Sequence, residues 1–245
     1  MSDVFASALT IHYQNFLDIG TKIQELAKSL GKQIKTVHIK EDPHFLKLAT
    51  ADQAAVVERL KVYRHLFEMS TAPDAPAPSE KRLLWLALKM LKFVPGSDLM
   101  NRITEEDFVE VFVGSRQVYR SFNYYDICSY SFDELESLPW EKLFERKDFS
   151  ITETMMGEAR QAIQTKRMVV SQTPEHFVTE TSSPFRNKIR YHLKYVIPIK
   201  DLESARPDCF ITVLSASLAE TVPKERRIER MMHHQLERED STQLL

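Results

Sequence analysis

VEVFVGSRQVYRSF, residues 109–122, reads as a β-hairpin. Val109, Val111 and Val113 alternate with Glu110 and Phe112, the period-2 spacing of a half-buried strand. Gly114-Ser115-Arg116 supplies the turn, because glycine takes a positive φ without steric cost. Gln117 to Phe122 is the returning strand. Downstream, Asn123 to Cys128 is too short and too aromatic for a free-standing helix. Ser131 stands as N-cap for Phe132 to Leu138, and Pro139 to Phe144 closes the segment. Thr152 to Thr165 spaces Met155, Met156, Ala159 and Ile163 as one amphipathic helix.

Three strands are predicted next. Met168 to Glu180 is rich in Val, Thr and Phe, with Pro174 implying a bulge or an edge position. Lys188 to Ile199 places Ile189, Tyr191, Leu193, Tyr195, Ile197 and Ile199 on one face, with Arg190, His192 and Lys194 opposite. Cys209 to Leu218 is the last, after a loop from Asp201 to Asp208. The short connections predict an antiparallel meander.

The run Asn123 to Leu135, NYYDICSYSFDEL, resembles the segment of a PAS domain in which an Asn opens a short helical stretch and a Gly-Tyr-Ser leads into a Glu-Leu helix. Ser129 stands where the family has glycine, followed by Tyr130-Ser131 and Glu134-Leu135. Trp140 to Asp148, WEKLFERKD, is similar to the stretch before the family's connecting helix. The resemblance covers about 110 of the 245 residues. It implies an α+β fold, with a five-stranded antiparallel sheet in the order 2-1-5-4-3 and helices on one face. It also implies a sensory or signalling role. Flavin-binding relatives place a cysteine in Asn-Cys-Arg-Phe-Leu-Gln; Cys128 stands in Asp-Ile-Cys-Ser-Tyr, so a small buried hydrophobe is its expected role. Haem-binding relatives carry a His on the connecting helix, and Thr152 to Thr165 has none. No cofactor is therefore expected.

Upstream, the chain is helical by pattern. Phe5, Leu9, His12, Phe16, Ile19, Ile23, Leu26 and Leu30 form a narrow seam that Gly31 ends. Such a seam packs either on its own domain or on a second copy in a homodimer. Thr50 or Asp52 is placed to cap a second helix through Met69. Thr71 to Ser79, TAPDAPAPS, is a linker. Ser79 caps a third helix, Glu80 to Val94, apolar nearly all round and so expected to be buried. Thr104 and Asp107 form a capping-box pair. Pro223 to Asp240 reads as a charged amphipathic helix. The expected organisation is a helical docking or dimerisation region (1–103), a PAS-like domain (104–221) and a C-terminal helix and tail (222–245).

A net charge of −2 gives no electrostatic reason to expect nucleic acid. No apolar run approaches the roughly 20 residues of a membrane span. Two cysteines and an N-terminus without signal-peptide character point to a cytoplasmic setting. With five glycines, a phosphate-cradling loop is not expected. His233-His234 point about 100° apart on a helix, poor geometry for one metal, and His176 and His192 are expected at the surface. A cavity between sheet and helices is the remaining candidate site, lined by Tyr125, Trp140, Phe144, Met155, Phe177, Tyr191 and Leu193; the alternative is that these side chains fill the core. Uncharged Ile189, Tyr191 and Leu193 facing inward imply a small apolar ligand. The function expected is a stand-alone PAS-like sensory adaptor, homodimeric and acting on a separate signalling partner. The alternative is a small α+β enzyme.

Overall fold

The N-terminal seam forms helix α1 (Ser2–Ser29), and Phe16, Ile19, Ile23 and Leu26 on its inner stripe are all buried. They meet residues of the same chain: Phe16 stacks on Phe45 with ring centroids 4.3 Å apart and leans on Phe132 at 5.0 Å. The seam is consumed within the molecule, which removes the reason it offered for self-association through Phe16 and Ile23. Gly31 ends the helix with φ 76°, where a side chain would be strained. The computed structural model describes residues 2–34, 43–94, 99–146, 148–181, 185–202 and 208–223. The expected helix Pro223 to Asp240 lies outside the described residues apart from Pro223 itself, which ends a strand.

Helix α2 (His44–Lys47) follows, its first amides held by the Asp133 carboxylate at 2.7 and 2.9 Å. Helix α3 (Thr50–Ser70) starts at an N-cap on Ala49 rather than Thr50 or Asp52. Helix α4 (Glu80–Met90) is capped by Ser79, which accepts from the Arg82 amide. It stops before the expected Val94, because Lys92 turns left-handed (φ 60°) and leads into strand β1 (Phe93–Val94). Trp85 on its outer side is 47% exposed, so the helix is not buried all round. Helix α5 (Leu99–Arg102) precedes the hairpin; the Asp107 carboxylate accepts from the Thr104 amide there, closing a turn rather than capping a helix.

Strands β2 (Phe108–Val113) and β3 (Arg116–Arg120) form the hairpin, Gly114 turning at φ 58°. Helix α6 (Asn123–Ile127) is a single turn; α7 (Phe132–Ser137) carries a full capping box between Ser131 and Glu134. Helix α8 (Trp140–Leu143), strand β4 (Phe144–Arg146) and helix α9 (Phe149–Thr165) come next. The predicted strand Met168 to Glu180 is two pieces, β5 (Val169–Val170) and β6 (His176–Glu180), with Pro174 in the gap. Strands β7 (Phe185–Pro198), β8 (Lys200–Asp201) and β9 (Cys209–Pro223) complete the order.

The fold is mixed α+β with antiparallel curled sheets. The larger has seven strands, ordered β3-β2-β9-β7-β6-β4 with β5 alongside β7, two more than expected; β1 and β8 form a separate pair. Helices cover both of its faces rather than one. Val111 stands opposite Tyr119 and Ile211 and shares their face, on which Tyr119 stacks against Tyr63 of α3 at 5.6 Å. Buried polar links cross the expected boundary at residue 103: the Tyr63 hydroxyl donates to the Arg120 carbonyl at 2.7 Å, and Glu80 accepts from the Phe122 amide at 3.1 Å. One continuous core joins the helical layer to the sheet.

Candidate functional site

The other sheet face is built by the alternate residues. Glu110 stands opposite Arg120 and Thr212, Phe112 opposite Phe210, Tyr191 opposite Ala216, and Leu193 opposite Leu214. Helix α9 lies across these residues with Met155, Met156, Ala159 and Ile163, and a cavity of about 410 Å³ remains between. That volume falls in the range of small-molecule sites, roughly 300–1,000 Å³. The lid is tied at one place by Glu158. Its carboxylate accepts from the Gln172 and Thr173 amides at 2.6 and 3.1 Å and from the Ser171 and Thr173 hydroxyls at 2.7 and 3.0 Å. Otherwise α9 buries just Ala159 and Ala162, a thin attachment for seventeen residues.

Part of the cavity lining is polar. The half-buried Glu110 carboxylate accepts from Gln117 Nε2 at 2.7 Å and Thr212 Oγ1 at 3.1 Å. Arg120, 6% exposed, donates from Nη1 to the Leu135 carbonyl at 3.4 Å and stands 4.0 Å from the Glu136 carboxylate. Its Nε has no hydrogen-bond partner. Tyr124 and Tyr191 meet hydroxyl to hydroxyl at 3.4 Å, and burial pushes both pKa values up, with the Glu110 charge adding to it, so both stay protonated donors. Arg146 lies with its guanidinium carbon 5.9 Å from the centre of the Tyr191 ring.

Of the predicted residues, Phe144, Met155, Tyr191 and Leu193 line this cavity. Trp140 opens α8, and its side chain is outside the described residues. Phe177 does not line it: pairing of His176 with Tyr191 turns His176 inward and leaves Phe177 on the outer face, 44% exposed beneath Lys188. Tyr125 is also elsewhere. Neighbours in a one-turn helix diverge by about 100°, so Tyr124 takes the cavity while Tyr125 donates to Glu136 at 2.9 Å. His176 is buried rather than at the surface; burial lowers its pKa, and the nearby Arg146 charge lowers it further. Cys128 is buried and lines the cavity. On β7 the register shifts between Leu193 and Tyr195, so Val196 rather than Tyr195 continues the cavity face.

The uncharged inward positions Ile189, Tyr191 and Leu193 of β7 all line the cavity, but charge reaches it from other elements: Glu110, Arg120 and Arg146 from β2, β3 and β4, with Arg160 of α9 and Asp208. A signal for the first two lay in the hairpin itself. If the valines of β2 face one buried layer, Glu110 and Phe112 must face another, and Arg120 stands directly across from Glu110. Among the described residues no cluster of three or more His, Cys, Asp or Glu stands ready to hold a metal, and no helix is long and apolar enough to cross a membrane. A scan against the models of known protein families finds no match to the chain, and neither does a search of curated proteins.

Proposed function

We propose that the chain is a ligand-responsive, PAS-like sensory adaptor that holds a small, mainly apolar molecule between sheet and α9 and relays its presence to a separate signalling protein. The observation that carries this reading is the cavity of about 410 Å³ under a lid tied mainly through Glu158. A mainly apolar lining with a few polar groups suits capture and orientation of a ligand. Occupancy that pushes on Met155 and Ile163 would shift α9 against the sheet and change the surface around its exposed Phe149. Exposed apolar side chains at Trp85, Val94 and Leu202 supply surface for docking a partner or a second copy. Cytoplasmic placement belongs to the same reading.

A second reading, a small α+β enzyme, draws on the convergence of Glu110, Arg120, Tyr124 and Tyr191 on one cleft. It is the weaker, because Glu110 is already engaged by Gln117 and Thr212 and is therefore poorly placed to take a proton.

Native mass spectrometry of freshly purified protein tests both. The expected spectrum contains a small molecule that is released on denaturation, and it reports the oligomeric state in the same experiment. Protein that emerges bare and also fails to take up an apolar dye such as Nile red, in competition with any added lipid, would sink the sensory reading.

A further inference from the structure

The unmet hydrogen-bonding capacity around Glu110, Arg120, Tyr124 and Tyr191 is donor capacity. Both oxygens of Glu110 already accept a bond. Arg120 is more than nine-tenths buried, lines the cavity, and has an Nε with no partner. The Tyr124 and Tyr191 hydroxyls, 3.4 Å apart, can use one proton on each other, which leaves the second to donate elsewhere. Charge points the same way. The lining carries Arg120, Arg146 and Arg160 against Glu110 and Asp208, while Glu136, on the far side of Arg120, is matched by Arg59 at 3.0 Å. A buried guanidinium N–H without an acceptor carries a desolvation cost that an anionic acceptor would remove. Most of the remaining lining is apolar, with Met155, Ile163, Val178, Ile189, Leu193 and Leu214 among it.

We infer that the cavity's ligand is an amphipathic monocarboxylate of the fatty-acid class, with its head between Arg120 and the Tyr124–Tyr191 hydroxyl pair and its chain under α9. This rests on the proposal that the cavity holds a ligand, and names its chemistry. The carboxylate accepts from Arg120 Nε and from one tyrosine hydroxyl, and the alkyl chain takes the place of void against the lid. Discrimination comes from the head group: an alcohol of equal chain length fills the same volume but brings no charge to Arg120.

Calorimetric titration of the whole chain with decanoate and with decanol separates the two levels of the claim. The expected result is decanoate binding at least about tenfold tighter than decanol, a preference lost in Arg120→Gln. Should Arg120→Gln fail to fold by circular dichroism, Tyr124→Phe with Tyr191→Phe replaces it; the pair is expected to weaken decanoate several-fold and leave decanol unchanged. Equal binding of acid and alcohol by the unaltered protein, or a preference that survives in folded Arg120→Gln or in the tyrosine pair, overturns the carboxylate inference while leaving the apolar cavity in use. Binding of neither probe, in protein that native mass spectrometry finds bare, overturns the ligand proposal itself and this inference with it.

Discussion

On one face of the large sheet, Tyr119 meets the ring of Tyr63, and Val109, Val111, Ile211 and Val213 are closed off from solvent. On the other, their immediate neighbours Glu110, Arg120 and Thr212 look into some 410 Å³ of space. The strands are the same and the alternation is the same. What differs is the covering layer. The helical layer brings aromatic rings, Phe16, Phe45 and Tyr63, that interlock with Tyr119, Phe122 and Phe132. Helix α9 brings Gly157, Ala159 and Ala162 at its centre and reaches the sheet through flexible methionines. One face is packed for stability, and the other is held open.

The largest effect should come from the packed side. Phe16 is 1% exposed and wedged between two rings, so Phe16→Ala is expected to cost about 3–5 kcal/mol in urea denaturation. Ile163→Ala, on the cavity side and already facing space, should cost about 1 kcal/mol or less. Equal losses at the two positions would break the contrast between the faces.

A smaller effect, and one that changes sign of interest with pH, belongs to Glu80. Burial pushes its carboxyl up to about 7, against partial relief from Lys32 and the Phe122 amide. Between the ordinary carboxyl range and pH 7 the folded chain therefore holds a proton that the unfolded chain has released. Stability from this group must fall as pH rises through that window and level off above it. Glu80→Gln removes the dependence. Relative to the unaltered protein, the variant should gain roughly 3 kcal/mol at most on going from pH 4 to pH 8. Parallel pH–stability curves for the two proteins would show that Glu80 is not buried against this layer.

Much of the hairpin, the helix over the cavity and the antiparallel run β6-β7-β9 was legible because local signals are strong there: alternation, Gly114, and the spacing of Met155, Ala159 and Ile163. Strand β4 and the β1–β8 pair were not, since three and two residues carry no readable period; their partners are supplied by tertiary pairing. The site was half legible for a related reason. Strand β6 buries His176, Val178 and Glu180 and exposes Phe177, so hydrophobicity points to the wrong face, and a one-residue choice sends Phe177 out and His176 in. Pro174 hid that choice by breaking the strand just before it.

Substitution by tryptophan turns the misreading into a control. Leu193→Trp points into the cavity, which has room for the added ring, so the stability change should stay below about 1 kcal/mol instead of the usual 1–3 for overpacking. Uptake of Nile red should nevertheless be lost. Phe177→Trp, on the outer face, should alter neither. Loss of dye uptake in Phe177→Trp, or a Leu193→Trp protein that binds as before, would mean that the cavity is not where ligand goes.

The smallest effect tests whether the packed face is as complete as it looks. Tyr119 is fully enclosed there, and its hydroxyl has no hydrogen-bond partner. Burial holds its pKa well above the ordinary phenol value, with the nearby Glu80 pushing the same way, so the group remains a neutral hydroxyl without a role in charge balance. Its ring still contributes the stack on Tyr63, which phenylalanine would keep. Removing an unsatisfied buried hydroxyl relieves its desolvation cost and leaves a gap of one oxygen atom, and the two terms nearly offset. Tyr119→Phe is therefore expected to be neutral or stabilising by up to about 1 kcal/mol, read from the urea midpoint at constant m-value. A loss above about 1 kcal/mol would show that the hydroxyl is engaged after all, and that the helical face, like the cavity face, has polar business of its own.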